Sequence, residues 1–173
     1  YIAKEKKKKT NYHYVLWYDI DRTILIKHTE FDYKFPEIKN AAWMYLSSLA
    51  SSSLPYHAQI VDFLKNHPEV KLAFQPGTFQ IKLGAEKLKD IYLRVEIFFC
   101  NIEEAEIILN IPARLGGKSK DVLTLAKEIH ALGPKMVVLS DGPNGAYLYL
   151  NEELWQIPVY PDIAPPLDRT GAG

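Results

Sequence analysis

Apolar residues follow two different spacings that alternate along most of the chain. Short continuous apolar runs are typical of buried strands, and segments whose apolar residues recur every three to four positions are typical of amphipathic helices. The runs predict strands over 70–74, 96–100 and 135–140, and the helical spacing predicts helices over 55–66, 81–90, 102–109 and 119–132. This alternation predicts βαβ units, and therefore an α/β fold with a parallel sheet covered by helices on both faces.

The N-terminal part departs from this alternation. Residues 12–18 and 22–26 are dense in aromatic and β-branched side chains and flank the polar Asp19 and Asp21, which predicts a β-hairpin. Tyr14 falls on one face of the first strand and Trp17 on the other, so both faces need cover. One interpretation is that the hairpin lies over a cleft, a second subunit or the protein body. The other is that these are two ordinary strands of a larger sheet.

A second departure follows the last predicted parallel strand. The turn-forming residues 141–145 separate the apolar runs 137–139 and 147–149, which predicts another hairpin. Residues 154–159 continue the extended pattern. Beyond them, a connector without regular structure is predicted from four prolines, Pro158, Pro161, Pro165 and Pro166.

Composition narrows the class of protein. The chain has 173 residues, 47% of them hydrophobic, which is enough for one sizeable core and predicts a single domain over 1–173. Its 21 basic and 21 acidic residues balance, which indicates neither nucleic acid nor a membrane surface as partner. The lone Cys100 cannot form an internal disulfide, and no apolar run reaches the roughly 20 residues of a membrane span. We therefore expect a cytoplasmic protein.

Polar residues follow three of the predicted strands, at the edge where ligands bind in open α/β sheets. These stretches are Gln75-Pro76-Gly77-Thr78, Asn101-Ile102-Glu103-Glu104 and Ser140-Asp141-Gly142. Asn101 and Glu104 have the spacing of a helix capping box, which alone would explain both residues. The functional alternative places them beside a metal-bound phosphate, where a carboxylate orders water around Mg²⁺.

The end of the sequence, Gly171-Ala172-Gly173, has backbone N–H groups that can converge on an anionic oxygen. A tight turn after the proline-rich connector is the plainer interpretation. Elsewhere, the five histidines have no metal-ligand spacing, so the sequence predicts no zinc site.

Three stretches in this order resemble the motif set of the ribokinase-like carbohydrate kinases, also called the PfkB family: residues 101–105, 140–145 and 168–173. The resemblance implies a three-layer α/β/α fold and ATP-dependent, Mg²⁺-assisted phosphoryl transfer to a hydroxyl of a sugar or nucleoside. It also implies roles for individual residues. Asn101 and Glu104 would lie near the nucleotide phosphates, with Glu104 by the Mg²⁺ water shell; Ser140, Gly142 and Gly145 would contact the nucleotide; and Gly171, Ala172 and Gly173 would form the anion hole.

The same resemblance implies that residues 10–30 form a β lid over the sugar, which in some relatives also joins two subunits into a homodimer. The sequence departs from the family pattern at one point: the Asp expected as catalytic base directly after Gly173 is not in the sequence. We therefore expect the chain as given to transfer phosphate poorly. The alternative function is an inactive nucleotide- or sugar-binding module of the same fold, and a structural α/β domain is the third interpretation.

Overall fold

The computed structural model of the protein describes residues 7–18, 21–27, 29–111 and 121–161, except for the side chains of residues 21 and 22. The strands are β1 (Tyr12–Tyr18), β2 (Asp21–Lys27), β3 (Trp43–Leu46), β4 (Lys71–Phe74), β5 (Val95–Asn101), β6 (Met136–Ser140), β7 (Ala146–Leu150) and β8 (Glu153–Ile157). The helices are α1 (Leu54–Asn66), α2 (Thr78–Leu83), α3 (Lys89–Tyr92), α4 (Ile102–Ile108) and α5 (Val122–Ala131).

Strands β3 to β8 form a six-stranded sheet whose spatial order is the order of the chain. The pairs from β3 to β6 are parallel, and β7 and β8 add antiparallel to the β6 edge. Both the βαβ alternation and the second hairpin predicted from the sequence are confirmed. The carboxyl ends of β4, β5 and β6 therefore meet along one edge of the sheet.

The core lies on one face of this sheet. Phe74, Phe98 and Val137 occupy aligned positions on neighbouring strands, and all three are fully buried. Buried residues of α1, α4 and α5 join them in one core. The opposite face includes Trp43 and Tyr45, which are 49% and 58% exposed. The helices therefore cover one face of the sheet, as predicted, whereas within the described ranges the other face is only partly covered.

One predicted helix is wrong. The sequence pattern predicts a single helix over 81–90, but α2 ends at Leu83 and α3 begins at Lys89. Gly84 ends α2 with a φ of 90° while its N–H bonds to the carbonyl of Ile81 at 3.1 Å. Glycine adopts this left-handed backbone conformation without the steric cost that other residues meet, so the chain turns there.

Strands β1 and β2 form a separate two-stranded sheet, so the alternative that they belong to a larger sheet is wrong. The base of the hairpin is closed by a bond from the Thr29 N–H to Asn11 Oδ1 at 2.6 Å. The segment that follows rests on α1 through aromatic rings: Phe35 lies 5.7 Å from Tyr56 and 5.0 Å from Phe63. The hairpin is thus tied to the body through α1.

In the described part of the chain, no helix combines the length and apolar character needed to cross a bilayer. Residues 158–161 have no regular structure, as the prolines predict. The rest of the predicted connector and residues 119 and 120 lie outside the described residues.

Candidate functional site

A cavity of about 300 Å³ opens at the carboxyl ends of β4, β5 and β6. Four polar side chains line it: Gln75, Asn101, Glu104 and Ser140. Phe99 and Val138, which are adjacent on paired strands, supply apolar lining. The structure therefore brings together residues from all three polar stretches that the sequence places at this edge.

Asn101 and Glu104 form the capping box predicted from their spacing. The Glu104 N–H donates to Asn101 Oδ1 at 2.7 Å, and the Asn101 N–H donates to Glu104 Oε2 at 2.9 Å. Each bond fixes the side chain but uses only one of its polar atoms. Glu104 keeps its second carboxylate oxygen and Asn101 keeps its amide N–H₂ group for a ligand. Capping and ligand binding are therefore compatible rather than alternative roles.

Ser140 stands beside Asn101, because the two residues are paired in the register of β5 and β6. Both end their strands, so the hydroxyl and the amide come to the same edge of the sheet. The turn that follows contains Gly142 and Gly145, with φ angles of 47° and 93°. These two glycines lie next to the cavity along the chain and are not among the residues that line it.

Gly145 is needed for a close approach between strands. A Cβ atom there would lie 2.1 Å from the carbonyl oxygen of Ile157 on β8. The turn is closed by a bond from the Asp141 N–H to the Gly145 carbonyl at 2.8 Å. Gly145 thus has a packing reason for its identity, whereas a Cβ on Gly142 would meet nothing within 4 Å and only its φ of 47° favours glycine there.

Gln75 enters the cavity from the loop after β4. Its N–H donates to the Leu46 carbonyl at 2.9 Å, and the Tyr45 hydroxyl donates to Gln75 Oε1. Because Tyr45 uses the amide oxygen, the N–H₂ group is left as a donor. The sequence pattern placed Gln75 in the polar rim but gave no signal for Tyr45, since a tyrosine within a strand is ordinary.

Cys100 borders the same cavity without being suited to react there. Burial, and secondarily the nearby charge of Glu104, raise the pKa of the Cys100 thiol well above its ordinary value. The thiol therefore stays protonated at neutral pH, and only a thiolate is an effective nucleophile. Cys100 is therefore a buried core thiol.

Three predicted site residues, Gly171, Ala172 and Gly173, lie outside the described residues, so their anion-hole role stays a prediction. Within the described ranges, no group of three or more His, Cys, Asp or Glu side chains could hold a metal ion. A Mg²⁺ ion bound through one carboxylate, water and substrate phosphates does not need such a group.

The sheet order and the cavity at its carboxyl edge define a partial α/β fold of the ribokinase-like class. The chain belongs to the pfkB family of carbohydrate kinases, whose sequence profile matches residues 2–173. A comparison with curated protein sequences found no significant match.

Solved structures share this fold at low sequence identity. Ribokinase from Giardia lamblia superimposes with a TM-score of 0.65 at 14% identity, over 94% of this chain and 51% of that protein. Fructokinase from Vibrio cholerae O395, solved with fructose, ADP and a calcium ion, gives 0.62 at 14% identity, over 88% and 50%. Phosphofructokinase-2 from Escherichia coli, solved in complex with potassium, gives 0.53 at 22% identity, over 68% and 36%. The chain thus spans about half the length of these proteins or less.

Proposed function

We propose that this chain carries the nucleotide-phosphate side of an ATP-dependent kinase that phosphorylates a hydroxyl of a sugar or nucleoside. The observation that supports this most is the cavity in which Asn101, Glu104 and Ser140 meet at the carboxyl edge of the sheet. Family membership adds the reaction class. A cytoplasmic location is part of the proposal.

The donor set of the cavity fits Mg²⁺ and a polyphosphate. Mg²⁺ prefers oxygen ligands and keeps several waters, and the free carboxylate oxygen of Glu104 can hold one of those waters. The amide groups of Gln75 and Asn101 and the Ser140 hydroxyl are neutral donors suited to phosphate oxygens. When bound, Mg²⁺ would supply charge neutralisation for the transferring phosphoryl group. We place Gly142 and Gly145 beside the nucleotide, and Gly171 to Gly173 at the phosphoryl oxygens.

Residues of this chain would contribute mainly positioning. The capping bonds hold Asn101 and Glu104 before any ligand arrives, so little side-chain freedom is lost on binding. The apolar side chains of Phe99 and Val138 limit water in the cavity, which strengthens each polar contact. Such preorganised electrostatics is the main source of catalysis in phosphoryl transfer.

Replacing Glu104 with Gln tests the site. The Gln side-chain oxygen can still accept from the Asn101 N–H, so we expect the midpoint of urea unfolding to change little. Mg²⁺-dependent ATP binding, measured by calorimetry, should weaken by about tenfold to a hundredfold, as is usual for groups that order a metal's surroundings. Glu103→Gln, at an exposed position in the same first helical turn, is the matched control and should bind as the wild type does.

A panel of sugars and nucleosides, offered to the intact protein that includes the residues beyond Gly173, separates the two functions. Transfer of the γ-phosphate to any of them supports the kinase. ATP binding without transfer supports the alternative, an inactive nucleotide-binding module. If the wild type binds no ATP in the presence of Mg²⁺, both ideas are wrong and Asn101 and Glu104 only cap a helix.

We also propose that the hairpin β1–β2 is a lid that joins two copies of the chain. Val15 pairs with Ile24 on a face without hydroxyl groups, and Tyr14 pairs with Leu25 on the opposite face, where the other tyrosines of β1 also lie. All four side chains are exposed. We assign the face of Val15 and Ile24 to a second copy and the tyrosine face, which can bond to sugar hydroxyls, to the substrate.

Sedimentation equilibrium tests this assignment. Ile24→Lys should convert a dimer to a monomer, because it places a charge in an apolar interface. Leu25→Lys should leave the dimer intact. A wild-type protein that is monomeric at micromolar concentration, or an Ile24→Lys variant that stays dimeric, would contradict it.

A further inference from the structure

Three buried polar side chains lie on or next to α1 and α2 and do not line the cavity. Ser53, His57 and Gln80 are 1%, 3% and 1% exposed. Burying a polar group costs free energy unless its hydrogen bonds are satisfied, so each atom of this group needs a partner. The pattern of apolar residues gave no sign of them, because it predicted apolar residues at the helix faces.

Gln80 is the centre of this buried network. Its Oε1 accepts from the Gly77 N–H at 2.7 Å, and its Nε2 donates to the Ser47 carbonyl at 3.1 Å. The Gly77 N–H can only donate and the Ser47 carbonyl can only accept, so the amide has one orientation. In that orientation Gln80 Nε2 faces His57 Nε2 at 3.2 Å.

His57 is thereby restricted to one protonation form. Its Nδ1 lies 3.0 Å from the Ser53 carbonyl, which can only accept, so Nδ1 carries the proton. Its Nε2 faces the donor group of Gln80, so Nε2 must accept. The ring is therefore neutral, with its proton on Nδ1.

The network holds two loops at the edge where the cavity lies. Ser47 follows β3, and Gly77 follows β4 two residues after the cavity residue Gln75. The loops also touch directly, since a Cβ on Gly77 would lie 2.0 Å from Ser48 Oγ. Whatever holds Gln80 therefore also holds the backbone that presents Gln75.

We propose that His57 and Gln80 form a proton-sensitive latch that positions the loop bearing Gln75 at the cavity. A second proton on His57 would point an N–H at the Gln80 N–H₂ group, so that two donors face each other. Rotating the Gln80 amide by half a turn would relieve this pair. However, the rotated amide would place its N–H₂ group against the Gly77 N–H, where two donors meet, and its oxygen against the Ser47 carbonyl, where two acceptors meet. Protonation thus breaks at least one buried bond in every arrangement.

The charges around His57 do not offset this cost. The groove that His57 borders is lined on the α1 side by Asp62 and Lys65. From the segment opposite, Glu86 and Asp90 are matched by Lys87 and Lys89, and Lys65 pairs with Asp90 at 3.7 Å. Three acidic groups thus stand against three basic ones along this groove. His57 and Gln80 are positioning residues, and the latch does not depend on which ligand the cavity binds.

Nuclear magnetic resonance of the purified protein tests the latch directly. The ¹⁵N shifts of the His57 ring should show the Nδ1–H neutral form at pH 7.5. Hydrogen exchange of the Gly77 amide, corrected for the intrinsic rate at each pH, should lose about tenfold of its protection between pH 7.5 and 5.5, the effect of one lost buried bond. A ring protonated on Nε2 at pH 7.5, or unchanged protection of Gly77, would overturn the proposal.

Two variants identify His57 as the group that titrates. In Gln80→Glu one carboxylate oxygen can accept from Gly77 and the other from a protonated His57. The bond to the Ser47 carbonyl is lost in this variant at every pH, so it adds no pH dependence, and the loss of protection on acidification should disappear. His67→Gln removes an exposed histidine at the end of the same helix and should leave the loss unchanged. A loss that persists in Gln80→Glu, or vanishes in His67→Gln, contradicts the latch. If Gln80→Glu does not fold, the ¹⁵N chemical shifts of the His57 ring and the exchange protection of the Gly77 amide in the wild type still test the latch.

Discussion

Glu104 has two carboxylate oxygens, and capping of α4 uses one of them. Asn101 likewise uses only its amide oxygen for capping, since this oxygen accepts from the Glu104 N–H and the N–H₂ group takes no part. A capping box therefore holds rigidly both of the groups that we propose for ligand binding, at no further cost in side-chain entropy. The capping bonds explain the identity of both residues, and the ligand site that we propose would use the atoms that capping leaves over.

Gly77 is another residue whose identity the packing determines. We expect Gly77→Ala to lower the free energy of unfolding by about 1–3 kcal/mol, because the new methyl group would overlap the side chain of Ser48. Urea denaturation measures the change. The double variant Gly77→Ala with Ser48→Gly should regain much of the loss relative to Ser48→Gly alone, since the overlapping Oγ and Cβ are then gone. Equal losses in both backgrounds would mean that the close approach is not the cause.

The parallel strands are joined by charges at the end opposite the cavity. Glu96 on β5 accepts from Lys135 at 2.8 Å and lies 3.5 Å from Lys71 on β4. The Glu96 side chain is only 16% exposed, so water screens these pairs less than it screens a surface pair. Hydrogen bonding to Lys135 is the main reason that the pKa of Glu96 is lowered.

This pairing predicts a loss of stability in acid. The carboxyl group of Glu96 has a lower pKa in the folded protein than in the unfolded chain. It therefore stabilises the fold fully above the unfolded pKa of about 4, and this stabilisation is lost as the pH falls through the folded pKa. Glu96→Gln should therefore be less stable than the wild type at pH 7 and equally stable at about pH 2, as measured by urea unfolding. Glu69→Gln is the control. Glu69 pairs with His67 and is more exposed than Glu96, so this variant should lose less stability relative to the wild type at pH 7. If Glu96→Gln and Glu69→Gln each differ from the wild type by the same free energy of unfolding at every pH, this account is wrong.

The whole molecule has one buried face of the sheet and one face that is partly open within the described ranges. Trp43 and Trp155 both lie on the open face and are 49% and 58% exposed. These tryptophans belong to the two edge strands of the sheet, β3 and β8, so exposed apolar side chains stand at both edges of this face. The fold therefore presents two apolar surfaces, the open sheet face and the hairpin.

Tryptophan fluorescence reports on the open face. In a Trp17→Phe variant the signal comes from Trp43 and Trp155 alone, because the chain has three tryptophans. We expect acrylamide to quench this emission at more than half the efficiency found after unfolding, since each ring is about half exposed. Emission that resists quenching would show that the face is covered in solution.

The sequence predicted elements and motifs better than it predicted what connects them. The strands, the capping box at Asn101 and Glu104, and the turn at 141–145 depend on local chemistry, which a pattern of neighbouring residues contains. The break at Gly84 was missed because a single glycine within an apolar helical spacing is a weak signal. The bonds of Gln80 to Ser47 and His57 were missed for a different reason, since they join residues 33 and 23 positions apart. Only the folded chain brings such partners together.

Because every strand of the six-stranded sheet after β3 pairs with the strand before it in the chain, assembly can follow synthesis. A nascent chain that has exposed β3, β4 and their connecting helix already contains a complete βαβ unit. Each later strand adds to an existing edge instead of inserting between two others, so no earlier strand pair has to open. The two antiparallel strands come last, so the cavity edge of β4 to β6 can form on the ribosome before β7 and β8 close the end of the sheet.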